Sequence, residues 1–272
     1  MCDHSIMMKQ YYYLIHLQYL GFRYHGWQKQ PGIKTIESMV EKTVCFILGD
    51  LQFKVLGTSR TDAMVSAQHS AFELFTKAPL DMKSFLDALN LNLPNDIRVI
   101  KIEVVDEKFN IRHTPKSKEY LYLFSFGEKG HPFCAPLVSM FQDHLDIEVM
   151  KKGAQLFLGV QDFKRYCTKP MPATQFKREI LVSQIEENTL FSASFFPKQS
   201  FAYRVQAKGF LRNQVRLMMG QLLRLGKKEI GLEDIIETLT GQGSQPLRYI
   251  APSSGLILHK IEFDYTSAVC VL

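Results

Sequence analysis

Two spacings of apolar residues alternate along this chain. Residues 11–19, YYYLIHLQY, are dense in aromatic and branched side chains and predict a strand. Over residues 35–48 the spacing changes. Ile36, Met39, Val40, Val44 and Ile47 fall on one helical stripe, with Thr35 placed as N-cap and Gly49-Asp50 as terminator. Residues 51–56 and 71–75 predict short strands on either side of a polar stretch. Residues 81–93 predict a helix capped by Asp81 and stopped before Pro94. Residues 99–105, VIKIEVV, predict a strand with Ile100, Ile102 and Val104 on one face and Lys101 and Glu103 on the other.

The second half has the same style. Residues 120–126, YLYLFSF, predict a strand carrying Tyr120, Tyr122, Phe124 and Phe126 on one face. Helices are expected at 147–158, at 211–225 with Leu211, Val215, Met218, Met219 and Leu222 inward, and at 232–240; strands are expected at 201–210 and 257–263. Strands interleaved with helices in this way predict an α+β protein with a mostly antiparallel sheet. The polar segment HTPKSK, residues 113–118, is the expected seam between an N-terminal α/β domain, 1–115, and a C-terminal one, 116–265; residues 266–272 read as a tail.

Composition supports two packed cores. The chain has 272 residues, 46% hydrophobic and 22% charged, which fits one large or two medium domains at ~150 residues each. No apolar run reaches the ~18 residues of a membrane span, and the first residues make a poor signal peptide. Five scattered cysteines without a C-x-x-C pair, and eight dispersed histidines, argue against a zinc site or a disulfide framework and point to a reducing cytoplasm. Net charge is +6, and it is uneven: residues 160–228 hold thirteen Lys and Arg against four acids. A polyanionic partner such as nucleic acid fits this excess, as does a well-solvated surface.

Candidate chemistry begins in TSRTDAMVSA, residues 58–67. An aspartate in a turn most often serves local backbone hydrogen bonds. Here Thr58, Ser59 and Ala63 are small enough for a loop lying against a ligand, and Arg60 could hold the Asp62 carboxylate ionised or contact phosphate. A lone carboxylate is ionised at neutral pH and can attack an electrophilic carbon without a general base. Arg212, Arg216, Gly220 and Arg224 make an i, i+4 row opposite the apolar stripe, either a solvated face or a row aimed into a cleft. Tyr120, at the start of its predicted strand, is placed for core packing or for stacking on a base. In GFRYHGWQKQ, residues 21–30, turn formation and one anchoring ring explain most residues, while Arg23 and Lys29 add possible phosphate contacts.

Seven motifs in order resemble the tRNA pseudouridine synthase A family. They are YLGFRYHGWQKQ at 19–30, SRTDAMVSA at 59–67, FNIR at 109–112, KEYLY at 118–122, GVQDF at 159–163, FLRNQVR at 210–216 and APSSGLIL at 251–258. The resemblance implies two ferredoxin-like (RRM-like) α/β domains, the pseudouridine synthase fold, joined through their sheets around a basic cleft, and a homodimer. It implies isomerisation of uridine to pseudouridine at positions 38, 39 and 40 of the tRNA anticodon stem-loop, with no metal and no organic cofactor. Asp62 would attack either uracil C6 or the sugar C1′, between which the sequence does not choose. Arg60 would fill the gap left by the flipped base. Tyr120 would pack on the uracil and help remove the final proton, and Arg216 would hold Asp62. Arg23, Lys29, Arg112 and Arg212 are the candidate RNA contacts. The family's glycine after T-D-A is Met64 here and its histidine is Ser66; a turn with φ > 0 would strain the methionine.

Two other readings fit part of the pattern. A non-catalytic tandem RRM-like RNA-binding protein is suggested by Lys208-Gly209-Phe210, which begins like an RNP1 strand until Leu211 breaks it. An aspartate-nucleophile phosphatase would need a D-x-D signature and magnesium ligands that the sequence does not display.

Overall fold

The computed structural model describes residues 10–242, 245 and 247–264; the expected tail at 266–272, with Cys2 and Cys270, lies outside the described residues. Within them the chain runs β1 (Tyr11–Tyr19), α1 (Ile36–Leu48), β2 (Phe53–Gly57), β3 (Ser66–Thr76), α2 (Met82–Asn92), β4 (Ile97–Val105), β5 (Pro115–Phe126), β6 (Ser139–Phe141), α3 (Ile147–Gln155), β7 (Gly159–Asp162), β8 (Lys177–Glu187), β9 (Phe201–Ala207), α4 (Gln214–Gly226), α5 (Leu232–Thr238) and β10 (Leu256–Phe263). Local signals set the early helix boundaries. Thr35 and Ser38 exchange side-chain and backbone hydrogen bonds at 3.0 and 3.2 Å to open α1, and the Asp81 carboxylate accepts the Ser84 N–H at 2.8 Å to open α2. Such caps are each worth about 1 kcal/mol.

One continuous sheet carries the fold, in the order β4-β1-β3-β10-β5-β9-β8-β7, with β2 on β3 and β6 on β5. The strand pairings are antiparallel except β3–β10 and β5–β6. The same lateral order occurs twice: β4-β1-β3-β2 in the first half and β10-β5-β9-β8 in the second. The two sets meet where β10 runs parallel to β3, with Ile257 opposite Ser66 and Leu258 opposite Ala67. One core gathers Leu14, Trp27, Phe72 and Leu89 near α1 and α2; the other gathers Tyr122, Phe163, Met218 and Leu222 near α3 and α4. Tyr120 packs against both.

Several expectations shift. β5 begins at Pro115, so PKSK of the expected seam is strand: Ser117 lies opposite Glu262 and Lys118 opposite Ala207. Tyr120 therefore sits mid-strand and not at its start. In β4 a bulge opposite His16–Leu17 skips Ile100, which is 43% exposed while Val99 is buried, so the simple alternation fails there. α4 begins at Gln214 after Asn213 adopts a left-handed φ of 61°, so Arg212 stands outside the helical row. Gly220 of that row does admit a close neighbour, but it is the Tyr249 carbonyl, 2.2 Å from where a Cβ would stand. β8, KREILVSQIEE, was not expected, because its charged ends and Gln and Glu residues suit helix or surface equally; pairing with β9 decides the matter.

Glu73 lies in the middle of β3 and is only 1% exposed. Its Oε2 accepts the Ile111 N–H at 3.4 Å and its Oε1 has no partner. Burial pushes its pKa up to about 7. The folded protein thus holds the neutral carboxyl more readily than the unfolded chain does. The stability from this site is fully present below the ordinary carboxylate value and is lost as pH rises through about 7. Glu73→Gln is expected to raise the melting temperature at about pH 8.5 and to lose that advantage near pH 5, as measured by thermal melts at the two values.

Candidate active site at the strand junction

The polar loop between β2 and β3 occupies the junction of the two sets of strands, and its neighbours hold it at Thr58, Thr61, Asp62 and Met64. The chain leaves the sheet at Thr58, whose N–H still donates to Ala71 O at 3.1 Å. Residues 19–27 line one side. The Tyr19 and Thr61 hydroxyls are 2.9 Å apart, the Trp27 N–H donates to Thr61 O at 3.1 Å, and the Met64 N–H donates to Tyr24 O at 2.9 Å. Gly21 rests directly on the loop: a Cβ there would stand 1.9 Å from Val65 O, and its N–H donates to Ser66 Oγ at 2.9 Å. The GFRYHGWQKQ segment is thus the bed of this loop, with the Trp27 ring buried beneath it.

The loop turns at Asp62–Val65, where the Val65 N–H donates to Asp62 O at 3.2 Å. This turn leaves the Asp62 side chain 31% exposed. Arg216, on α4, donates from Nη1 to Asp62 Oδ2 at 3.1 Å and from Nε to Ala251 O at 2.8 Å. The Ala251 N–H returns to Arg216 O at 3.1 Å, so residue 251 and the helix fix the guanidinium from both ends. Arg60, two positions from Asp62, is exposed and makes no ion pair among the described residues. The role of holding the carboxylate falls to an arginine from the other half of the chain.

Tyr120 forms the wall beside Asp62. Its ring meets Phe210 edge-on at 5.3 Å between centroids. Burial first, then Tyr19 and the Asp62 carboxylate, push its phenol pKa well above the ordinary value, so the hydroxyl stays protonated at neutral pH. Ser59, whose buried Oγ has no well-formed partner, lies beside that hydroxyl. Lys118, two residues earlier on the same face of β5, donates from Nζ to Thr58 O at 2.9 Å. The spacing of K-x-Y signalled that shared face, but its lysine and the hydroxyl of Tyr19 were not among the expected site residues.

The remaining cationic candidates divide. Arg112 and Arg212 are exposed, as is Arg60. Arg23 forks onto Asp96, with one bond of 2.9 Å, and Lys29 pairs with Glu41. Among the described residues no group of three or more His, Cys, Asp or Glu is gathered for a metal ion.

Met64 adopts φ 67°, the left-handed conformation that the Gly-to-Met departure put at issue. A side chain there costs about 1–2 kcal/mol relative to glycine's free access. Met64→Gly is expected to be about 1 kcal/mol more stable than Met64→Ala, because alanine keeps the strain and removes the same thioether. Urea midpoints of the two variants check this.

A family model described as tRNA pseudouridine synthase matches residues 154–264, which include Arg216 and β10. The tRNA pseudouridine synthase A of Dictyoglomus thermophilum is 31% identical over 92% of this chain and 98% of its own length. That of Thermodesulfovibrio yellowstonii is 32% identical over 90% and 96%, and that of Clostridium botulinum strain Eklund 17B is 31% identical over the same shares. With near-complete coverage in both directions, the chain belongs to the tRNA pseudouridine synthase A family and is an isomerase of uridine in tRNA.

Proposed function

We propose that Asp62 is the nucleophile of this isomerisation, acting on uridines 38, 39 and 40 of the tRNA anticodon stem-loop. One observation carries the reading: the Asp62 carboxylate is oriented by Arg216 at 3.1 Å yet remains 31% exposed beside Tyr120. An ionised carboxylate needs no base before attack. The target uridine leaves its stack at a cost of a few kcal/mol. Asp62 forms a bond to uracil C6 or to the sugar C1′. The N-glycosidic bond breaks, the base turns and a C5–C1′ bond forms; the bond to Asp62 is then released, returning the free carboxylate, while C5 loses its proton and N1 ends protonated.

Tyr120 supplies the packing surface for the uracil. Its raised pKa favours a protonated hydroxyl over a standing phenolate base. Arg60, exposed beside Asp62, is placed to enter the gap left by the flipped base. Arg112 and Arg212 contact the backbone with free guanidinium groups, whereas Arg23 and Lys29 must first exchange Asp96 and Glu41 for phosphate. The repeated lateral strand order supports two ferredoxin-like domains, 1–115 and 116–265, with the seam at 113–118 crossed by β10. A cytoplasmic homodimer completes the reading by resemblance to the family.

Asp62→Asn is expected to abolish pseudouridine formation, a loss of at least about 10³-fold in kcat, while tRNA binding persists. Tritium release from C5-labelled tRNA and a filter-binding assay measure the two. Turnover by Asp62→Asn near the parental rate overturns the assignment.

A further inference from the structure

Lys118 has no carboxylate partner among the described residues. Its ammonium is largely buried. The titratable groups on the surrounding elements are engaged elsewhere, held neutral or exposed: Glu119 with Arg204, Glu262 with Lys260, Asp62 with Arg216, buried Glu73 with the Ile111 N–H, Tyr19 and Tyr120 kept protonated by burial, and Lys116, Lys208 and Arg60 at the surface. A buried unpaired cation costs several kcal/mol, and a purely structural one normally has an acid beside it. Among the described residues the only side-chain hydrogen bond of Lys118 is the 2.9 Å bond from Nζ to Thr58 O. Thr58 is where the chain departs from β2: its N–H is on Ala71 O and its Oγ1 donates to Ile111 O at 3.2 Å, so its carbonyl is the first acceptor of the loop proper. Ser59, Arg60, Thr61 and Asp62 follow in order.

We propose that Lys118 is a positioning residue for uridine isomerisation: its ammonium pins the Thr58 carbonyl and thereby the loop that aims Asp62. The proposal rests on the reading of Asp62 as nucleophile. A charged donor makes a hydrogen bond roughly twice as strong as a neutral one, so the pin is tight only while Lys118 is protonated. Burial lowers its pKa to about 8, within the range where activity is assayed. The free enzyme therefore loses the tight pin as pH rises through that value, and kcat/KM follows it.

The test compares the parent enzyme, Lys118→Met and Lys118→Arg between about pH 6 and pH 9, with folding checked by thermal melts. Lys118→Met is expected to lose about 10²-fold in kcat at pH 7, with KM and the Kd for tRNA little changed, as a misaimed nucleophile would. The parent is expected to lose about tenfold in kcat/KM between pH 7 and pH 9. Lys118→Arg, which stays charged, restores much of the rate and has a flat profile over that range; the residual activity of Lys118→Met is also flat. Parental kcat in Lys118→Met, or an unchanged alkaline fall in either variant, overturns the proposal. Asp62→Asn separates the two readings: if it is inactive while Lys118→Met is fully active, only the positioning role fails, and if it is active, the nucleophile assignment fails first.

Discussion

The Asp62–Arg216 ion pair is the contact on which the site depends. It joins a loop of the first half of the chain to a helix of the second, and it turns a solvent-facing aspartate into an oriented carboxylate. Its value is geometric. A pair this exposed adds little to stability, of the order of 0–1 kcal/mol. The scaffold must therefore bring the partners together by other means. Arg216 is immobilised through two hydrogen bonds with Ala251, and the 247–251 segment packs so closely on α4 that its Tyr249 carbonyl touches Gly220. On the other side the loop is tied to Tyr19, Tyr24, Trp27 and Lys118.

The sheet makes this arrangement possible. β10 is the last described strand, yet it lies between β3 and β5, the two strands that carry the loop and Tyr120. Its pairing with both fixes the distance between the halves. Tyr120 completes the junction by packing against both cores, so its ring is as much a bridge between the cores as a wall of the site. Packing at native density transmits small displacements, and a change in either half reaches Asp62 through one or two contacts.

Polar groups around the loop are unevenly satisfied. Several backbone groups of the turn are paired, but Ser59 Oγ has no well-formed partner, Lys118 has no carboxylate partner among the described residues, and Met64 is in a conformation suited to glycine. Strain and unmet polar groups cluster where function constrains a chain against its own preferences. These three lie at or against the Asp62 loop; other unpartnered buried atoms, such as Glu73 Oε1, and other left-handed residues, such as Asn213, lie outside it, while the helix caps of α1 and α2 follow local rules without conflict.

What the sequence determined is what short-range chemistry encodes. The periods of apolar residues placed β1, α1, α2 and the central part of β5 within a few positions, because cap residues and stripes act over one or two turns. Asp62, Arg216 and Tyr120 could be named from their motifs. Local chemistry left Arg60 and Arg216 equal as partners of the carboxylate; the family resemblance favoured Arg216, and the tertiary structure brings Arg216 to it. It also decided that PKSK is strand, that β8 exists, that Ile100 is bulged outward and that Arg212 stands outside its helix. Those outcomes depend on pairing partners tens to hundreds of residues away. Backbone hydrogen bonding to such partners is nearly indifferent to side-chain identity, so the local sequence carries little trace of it.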